Sequence, residues 1–374
     1  MSDVYFITGA TGAIGAALVP ELLKIPDVQL ELLIRANDQN HLQERFHQLC
    51  SFWEVDPESV REVILPLQGD ISQPQFGLGE RHYAKLCSSG THIIHCAGNV
   101  RMNLPLEEAR QKALGSAKNV IVLAQRCQEQ GTLKKVEFVS TVGVGGRMQG
   151  TVPERFLTED RDFHNTYEQA KAEAEDYIRP YAEEHQLPIT VHRPSMVVGD
   201  SRTGKIIHFQ VFYHICEFLS GRRTLGFIPN LKGVMLDIVP VDYVAEAIAW
   251  SSRRQESAGE VLHLCSGPEQ VVILSDLITN VRKVYASMNM NLPRIKVLPG
   301  ALYRLLLPLI GRMASDRVRR SMRVLPIFFE YLQERQLFEN QKARSVLYGV
   351  WNEKKKKANV VVEKGLSYFL NKIH

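Results

Sequence analysis

Near its start the chain reads Val-Tyr-Phe-Ile-Thr-Gly-Ala-Thr-Gly-Ala-Ile-Gly over residues 4–15, and this stretch decides the fold. Its first four residues form a short apolar run that is suited to a buried parallel strand. Glycines then interrupt the run, and a helical pattern of apolar residues begins at residue 16. Because a dinucleotide-binding fold requires strand, glycine turn and helix in this order, we predict a nucleotide site here.

The three glycines of this stretch have separate tasks in such a turn. Gly9 allows the tight turn, Gly12 lets the backbone approach a pyrophosphate, and Gly15 lets the helix pack closely on the strand. We expect the pyrophosphate at the helix N-terminus, where unpaired N–H groups and the helix dipole favour anions. The predicted cofactor contacts in the turn are Gly9, Thr11, Gly12, Ile14 and Gly15.

The end of the second strand indicates which nicotinamide cofactor binds. This apolar strand, residues 30–34, leads to Arg35, where an enzyme that prefers NAD carries an acid for the ribose hydroxyls. An arginine instead accommodates a 2′-phosphate, and Arg45 in the next helical stretch supplies a second cation. We therefore expect NADPH as the cofactor, with ordinary surface arginines as the alternative.

Further strand ends extend the predicted cofactor cleft. Strands at residues 63–67 and 92–95 are each followed by polar or small residues. After the first of these strands, Asp70 is placed to meet the adenine amino group. The expected contacts are Asp70, Ile71, Cys96, Ala97 and Gly98. A helix over residues 112–130 and a strand over residues 136–139 continue the alternation, which predicts an α/β protein with a doubly wound parallel sheet.

The strand at residues 136–139 ends in Ser140 and Thr141, at the sheet edge where ligands bind. Tyr167 follows in the next long helical stretch, and Lys171 lies one turn further on the same helix face. Because a nearby cation favours the phenolate, we expect Lys171 to lower the pKa of Tyr167 toward neutrality. Tyr167 is then a candidate general acid or base, although this pentapeptide alone also suits a solvated helix face.

Together these motifs resemble the extended short-chain dehydrogenase/reductase superfamily, and the likeness runs over residues 4–285. In that superfamily a Ser or Thr, a Tyr and a Lys form the catalytic triad. The resemblance therefore implies Thr141, Tyr167 and Lys171 as the catalytic residues. It also implies Ser140, Tyr167 and Lys171 as cofactor contacts, with Lys171 holding the nicotinamide ribose.

Two later stretches, residues 189–201 and 237–245, resemble the thioester reductase and fatty acyl-CoA reductase branch, the male-sterility type. The resemblance implies cofactor contacts at Pro194 and Ser195. The chain departs from the family at two places. Lys112 stands where members usually carry an Asn, and residues 142–146 lack the tyrosine that often follows the Ser/Thr.

The resemblance implies an NADPH-dependent reductase of an activated acyl group, a CoA or carrier-protein thioester, which yields an aldehyde and in a second cycle an alcohol. One alternative is an extended dehydrogenase of a free ketone or alcohol, for example a sterol. Nucleotide-sugar enzymes rank lower because they usually carry an acid in the place of Arg35. A non-catalytic NADP-binding regulator, which typically lacks the Tyr or the Lys, is the alternative of a different class.

The predicted domains are a Rossmann domain over residues 1–270 and a mainly helical substrate or cap region over residues 271–374. The first includes a substrate-side excursion at residues 200–232.

Residues 291–374 carry 17 Lys and Arg against 6 Asp and Glu, which suits phosphates, an acidic carrier protein, an anionic membrane surface or a solvated helical face. An apolar piece at 297–310, too short to span a bilayer, precedes an arginine cluster, so peripheral membrane contact and plain packing both stay open.

Composition narrows the remaining classes. Hydrophobic content of 45% and charged content of 23% describe a globular protein with a core. The chain opens on a strand rather than a basic, apolar leader, so we expect no signal peptide. Six cysteines without a zinc-type spacing predict reduced thiols in the cytoplasm and no metal site. The absence of a basic motif interleaved with aromatic residues argues against nucleic acid.

Overall fold

The computed structural model of the chain describes residues 2–222, 224–300, 303, 336–353 and 358–373. Strands and helices are numbered in chain order within these ranges. The strands are β1 (Val4–Thr8), β2 (Gln29–Ile34), β3 (Ile64–Gln68), β4 (His92–His95), β5 (Lys135–Val139), β6 (Gly150–Val152), β7 (Ile189–Pro194), β8 (Met196–Val198), β9 (Phe227–Pro229), β10 (Met235–Leu236), β11 (Ile238–Pro240), β12 (Val261–Leu264), β13 (Val272–Ile273), β14 (Lys296–Leu298) and β15 (Gln336–Phe338). The helices are α1 (Ala13–Leu22), α2 (Gln39–Trp53), α3 (Glu80–Ser89), α4 (Leu106–Glu129), α5 (Thr166–Glu183), α6 (Val211–Leu219), α7 (Val241–Ser251), α8 (Leu274–Ser287), α9 (Gln341–Val346), α10 (Tyr348–Glu353) and α11 (Ala358–Ile373).

A seven-stranded sheet with the order β12-β7-β5-β4-β1-β2-β3 forms the centre of the molecule. Every neighbouring pair is parallel, and Ile7 of β1, for example, pairs with Leu32 on one side and Ile94 on the other. The strand order reverses at β1, and the crevice between the carboxyl ends of β1 and β4 is where such folds bind ligands. The predicted doubly wound parallel sheet is confirmed.

Helices cover both faces of the sheet. Leu18, Phe46 and Ile248 of α1, α2 and α7 belong to the buried cluster on one face. Val120 and Ile178 of α4 and α5 belong to the cluster on the other face. Full burial of each such side chain contributes roughly 1.5–3 kcal/mol. Because helices cover both faces of the sheet, its strands are buried on both sides, which explains why they are apolar along their length.

A third apolar cluster lies beyond the sheet and joins α6, α8 and α11. Its buried members include Phe212, Tyr213, Leu277, Val281 and Leu366. Strand β9 of the excursion also pairs with β14. The excursion at residues 200–232 therefore shares a core with elements that follow the sheet in sequence.

Helix α4 begins earlier than predicted. The apolar pattern indicates a start at Lys112, whereas the helix starts at Leu106, directly after Pro105. Glu107 and Glu108 lie in the first turn, where carboxylates interact favourably with the helix dipole. These charges mark the N-terminus better than the apolar pattern does.

Some predicted features lie outside the described residues. These are most of the apolar piece at residues 297–310 and the arginines at positions 312, 317, 319, 320 and 323. A membrane contact there stays a prediction. Within the part of the chain that the structure describes, no helix is long and apolar enough to cross a membrane.

Candidate active site

The turn between β1 and α1 has the geometry that its glycines predict. Gly9 has a positive φ of 77°, and a Cβ there would lie 2.5 Å from the backbone nitrogen of Ala97. A Cβ on Gly15 would lie 2.2 Å from the carbonyl oxygen of Gly9. Gly12 is the N-cap of α1 and no side chain caps this helix, so the N–H groups of the first helical turn are suited to bind an anion.

Two arginines meet beside this turn. Arg45 donates from Nη2 to Thr11 Oγ1 at 3.1 Å and from Nη1 to the backbone carbonyl oxygen of Arg35. Burial lowers the pKa of Arg45, and the charge of Arg35 lowers it further. The two guanidinium groups thus repel each other, and an anion bound between them would relieve that repulsion.

The loop after β3 is held from α4. Asp70 Oδ1 accepts hydrogen bonds from the backbone nitrogen of Ser72 at 2.9 Å and from its hydroxyl at 2.7 Å. Asn119 donates from Nδ2 to the carbonyl oxygens of Ile71 at 2.8 Å and Gln73 at 2.9 Å. We did not select Asn119 from the sequence, although an asparagine inside a helix has low helix propensity, a signal that its amide has a tertiary partner.

The end of β4 contacts both β1 and α4. His95 pairs through Nδ1 with Thr8 Oγ1 at 2.8 Å and through Nε2 with Ser116 Oγ at 3.3 Å. Burial lowers the pKa of His95 to about 3, and the charge of Lys171 adds to the shift, so the ring is neutral. Burial also raises the pKa of the Cys96 thiol to about 12. These groups therefore serve as packing and hydrogen-bonding partners rather than as charges.

Small residues after His95 lie against the cleft. The backbone of Cys96 and Ala97 is in close contact with Gly9, which leaves room only for glycine at that position. A Cβ on Gly98 would lie 3.4 Å from Lys171 Nζ. The structure thus brings the glycine turn, the end of β4 and the α5 lysine to one edge of the sheet.

The predicted triad residues lie together at the end of β5. Thr141 accepts a hydrogen bond from the Gly143 nitrogen at 3.1 Å. Its hydroxyl is a neighbour of the Tyr167 phenol and lowers the pKa of that phenol. Lys171 donates from Nζ to the Val139 carbonyl oxygen at 2.9 Å. The Ser140 hydroxyl is buried and has no hydrogen-bond partner among the described residues.

The expected lowering of the Tyr167 pKa by Lys171 is wrong. Burial raises the pKa of Tyr167 to about 12, the neighbouring Thr141 hydroxyl opposes that rise, and the charge of Glu168 adds to it. Lys171 binds the Val139 carbonyl instead of the phenol. Tyr167 is therefore a neutral phenol at neutral pH, the form that donates a proton or a hydrogen bond.

The pKa of Lys171 is also shifted from its usual value. Burial lowers the pKa of Lys171 to about 8, and the charge of Glu175, one turn further along α5, partly offsets this shift. Arg193 in β7 is fully buried and donates from Nε to Glu175 Oε1 at 3.0 Å and from Nη2 to Oε2 at 2.5 Å. The lysine is thus backed by a buried ion pair.

Hydrogen bonds connect the Arg193–Glu175 ion pair with the C-terminal part of the chain. Arg193 Nη1 lies 3.2 Å from His263 Nε2, and His263 Nδ1 lies 2.8 Å from the Glu339 carbonyl oxygen. Because a carbonyl only accepts, Nδ1 carries the hydrogen and Nε2 accepts from the arginine. Burial, with the charge of Arg193, lowers the pKa of His263 to about 3 and keeps the ring neutral. One hydrogen-bonded chain thus connects α5 with the residues just before α9.

Pro194 and Ser195 lie at the carboxyl end of β7, the strand next to β5. The Ser195 nitrogen donates to the Leu264 carbonyl oxygen at 3.1 Å, which fixes the position of this strand end against β12. Both residues therefore lie at the same sheet edge as Thr141.

The two departures from the family pattern have clear positions. Lys112 pairs with Glu108 on α4, one turn away. Residues 142–146 form a tight buried turn, in which Gly146 has a φ of 54° and a Cβ would lie 2.2 Å from the Asp162 carbonyl oxygen. That close packing leaves no space at Gly146 for a side chain.

The described residues fit a dinucleotide cofactor. Residues 11–14 of the glycine turn are partly exposed, two arginines converge beside it, and a buried Ser140 hydroxyl without a partner among the described residues follows the carboxyl end of β5. A doubly wound parallel sheet that carries this turn and a Thr-Tyr-Lys group defines an extended short-chain dehydrogenase/reductase, an oxidoreductase with a nicotinamide cofactor.

The chain belongs to the NAD-binding family described as male sterility protein, whose profile matches residues 7–248. A linear gramicidin synthase of Brevibacillus parabrevis is 28% identical over 263 residues, 69% of this chain and 5% of that protein. L-2-aminoadipate reductase of Schizosaccharomyces pombe is 25% identical over 280 residues, 70% of this chain and 19% of that protein. The chain thus spans less than a fifth of the length of these two relatives.

Among solved structures, the chain is similar to the terminal R domain from the myxalamid PKS-NRPS biosynthetic pathway. The TM-score is 0.81 at 26% sequence identity, and the match covers 99% of this chain and 91% of that domain. The resemblance to the thioester-reducing branch of the superfamily, inferred from residues 189–201 and 237–245, is confirmed.

Proposed function

We propose that the chain is an NADPH-dependent reductase of acyl thioesters, carried by CoA or by an acyl carrier protein, and that it releases an aldehyde. The observation that carries this proposal is the placement of Thr141 and Tyr167 next to each other, with Lys171 behind them at the sheet edge. The similarity to a gramicidin synthase, an L-2-aminoadipate reductase and a terminal R domain supports an activated acyl substrate.

The hydroxyls of Thr141 and Tyr167 act on the substrate carbonyl oxygen. Both donate hydrogen bonds to it and stabilise the negative charge that develops there. A bound nicotinamide supplies the hydride that the carbonyl carbon receives. Tyr167 then gives its proton to the oxygen, which yields a hemithioacetal on the substrate. The carbon–sulfur bond breaks, the hydroxyl proton passes to sulfur, and aldehyde and thiol leave.

Parallel assays with different substrate classes test this proposal. Purified protein is mixed with NADPH and, in parallel, with a long-chain acyl-CoA, an acyl-loaded carrier protein and a panel of ketones. We expect loss of NADPH absorbance with a thioester, and product analysis then distinguishes aldehyde from alcohol. Turnover with ketones alone would show an extended dehydrogenase instead. Tight NADPH binding without any turnover would show a regulator.

The cofactor preference rests on Arg35 and Arg45. Arg35→Asp is expected to lower kcat/KM for NADPH by about 10- to 100-fold, the scale of a hydrogen bond to a charged group, and to spare the value for NADH. Steady-state rates with both cofactors measure the change. Arg61→Asp is the control, because Arg61 is an exposed arginine paired with Glu58. A variant at position 35 that still preferred NADPH would refute the phosphate assignment.

The pH dependence follows from Lys171. Its pKa of about 8 means that the ammonium behind Tyr167 is present below pH 8 and is lost above it, whereas Tyr167 stays protonated. We expect kcat/KM to fall as the pH rises through about 8, and Lys171→Met to remove this dependence together with most of the activity. Lys112→Met, which removes a lysine paired on α4, should keep the wild-type profile. A flat wild-type profile between neutral and alkaline pH contradicts the assignment.

The remaining proposals concern the surroundings of the site. We propose that the elements after residue 270 cover the acyl chain, since α8 and α11 share an apolar cluster with α6 of the excursion. The division at that residue, a cytoplasmic location and a lipid contact at residues 297–323 stay predictions.

A further inference from the structure

A segment that the sequence motifs do not assign contacts the cofactor turn. His208, between β8 and α6, lies with Nε2 3.0 Å from the carbonyl oxygen of Thr11. Because the carbonyl only accepts, Nε2 carries the hydrogen and donates it. The hydroxyl of the same Thr11 accepts from Arg45. The tip of the glycine turn is therefore held from two sides, by α2 and by the excursion.

The segment that carries His208 is fixed before it reaches the turn. Ser201 donates from its nitrogen and its hydroxyl to Asp242 of α7, at 2.9 and 2.8 Å. Lys205 donates from Nζ to Glu54, at the end of α2, at 2.6 Å. These contacts connect the residues before His208 to α7 and to the end of α2, so less conformational freedom is lost when the imidazole meets Thr11.

A second contact links the same regions. Ala13, the first residue of α1, packs against the apolar cluster that joins α6, α8 and α11. The backbone nitrogens at the start of α1 are the expected donors to a pyrophosphate. Their position therefore depends on substrate-side elements through Ala13 and on His208 through Thr11.

We propose that His208 is a positioning residue for the cofactor: it holds the glycine turn in the shape that binds a pyrophosphate. The substrate-side excursion then contributes directly to dinucleotide affinity. This inference rests on the cofactor site of the proposed function and not on the identity of the acyl substrate. It assigns to His208 a role in binding, through Thr11, and none in proton transfer.

The dissociation constant of NADPH, measured by calorimetry without substrate, tests the proposal. His208→Ala is expected to raise this constant about five- to tenfold, the scale of one hydrogen bond, and to raise KM for NADPH with it. His208→Gln keeps an amide donor for the Thr11 carbonyl and should recover most of the affinity. Because His208 is exposed, the thermal midpoint should stay unchanged. Saturating NADPH should restore the wild-type kcat.

His214→Ala is the matched control, since His214 is a half-exposed histidine of α6 that pairs with Glu217. It should bind NADPH as the wild type does. An NADPH dissociation constant for His208→Ala within twofold of the wild-type value would overturn the proposal. A changed ratio of NADPH to NADH affinity would also overturn it, because a turn held by His208 serves both cofactors. These binding results do not depend on whether thioesters are reduced.

Discussion

Tyr167→Phe is expected to lower kcat by about 10²- to 10⁴-fold, the usual contribution of a positioned acid. The phenol has a pKa of about 12, so it meets the reacting oxygen as a neutral donor. Phenylalanine keeps the ring and its packing and removes only the hydroxyl. The dissociation constant of NADPH should therefore stay within about twofold of the wild-type value, less than the loss of one hydrogen bond would cause.

Single-turnover oxidation of bound NADPH by a thioester measures this loss without a contribution from product release. Tyr177→Phe is the matched control, because Tyr177 lies on the same helix and its hydroxyl pairs with Tyr181 at 3.3 Å, away from Thr141. The control should retain wild-type kcat. A Tyr167→Phe enzyme within tenfold of wild type would remove Tyr167 from proton donation, and an equal loss in both variants would indicate damage to α5.

Local sequence signals predicted the part of the fold that carries the cofactor. The apolar run, the glycines and the helical period of residues 4–23 each act over a few residues, so their structure follows from neighbouring side chains. The excursion is different. Strand β9 pairs with β14 through contacts such as Phe227 with Lys296, and three-residue strands have no measurable period. The approach of His208 to Thr11 likewise depends on chain segments almost 200 residues apart.

The sequence places the proposed site residues at one edge of the sheet, but it does not predict the electrostatics there. A spacing of four places Tyr167 and Lys171 on one helix face, but it does not determine where the ammonium points. The Val139 carbonyl binds the ammonium, and burial then dominates the pKa of the phenol because the phenolate loses its hydration. The sequence also did not predict that Arg193 is buried with Glu175 and His263, because an arginine is usually exposed.

Arg193→Leu is expected to destabilise the fold by about 3–5 kcal/mol, the cost of leaving a buried charge without its partner. Arg193 is fully buried and donates from two nitrogens, Nε and Nη2, to the Glu175 carboxylate, and it also donates to His263. The leucine variant leaves the buried carboxylate of Glu175 without the donors of Arg193, and His263 Nε2 without its donor. Urea unfolding followed by circular dichroism should show a lower midpoint. An unchanged midpoint would contradict a structural role for the pair.

The double variant Glu175→Leu with Arg193→Leu separates stability from catalysis. Replacing both members of a buried ion pair by apolar residues is often neutral, so we expect most of the lost stability to return. The charge of Glu175 favours the ammonium form of Lys171, so its removal should lower the pKa of Lys171 below about 8. The alkaline fall of kcat/KM should then begin at lower pH than in the wild type. If stability returned and the pH profile did not move, the pair would support the fold of β7 and α5 without tuning the lysine.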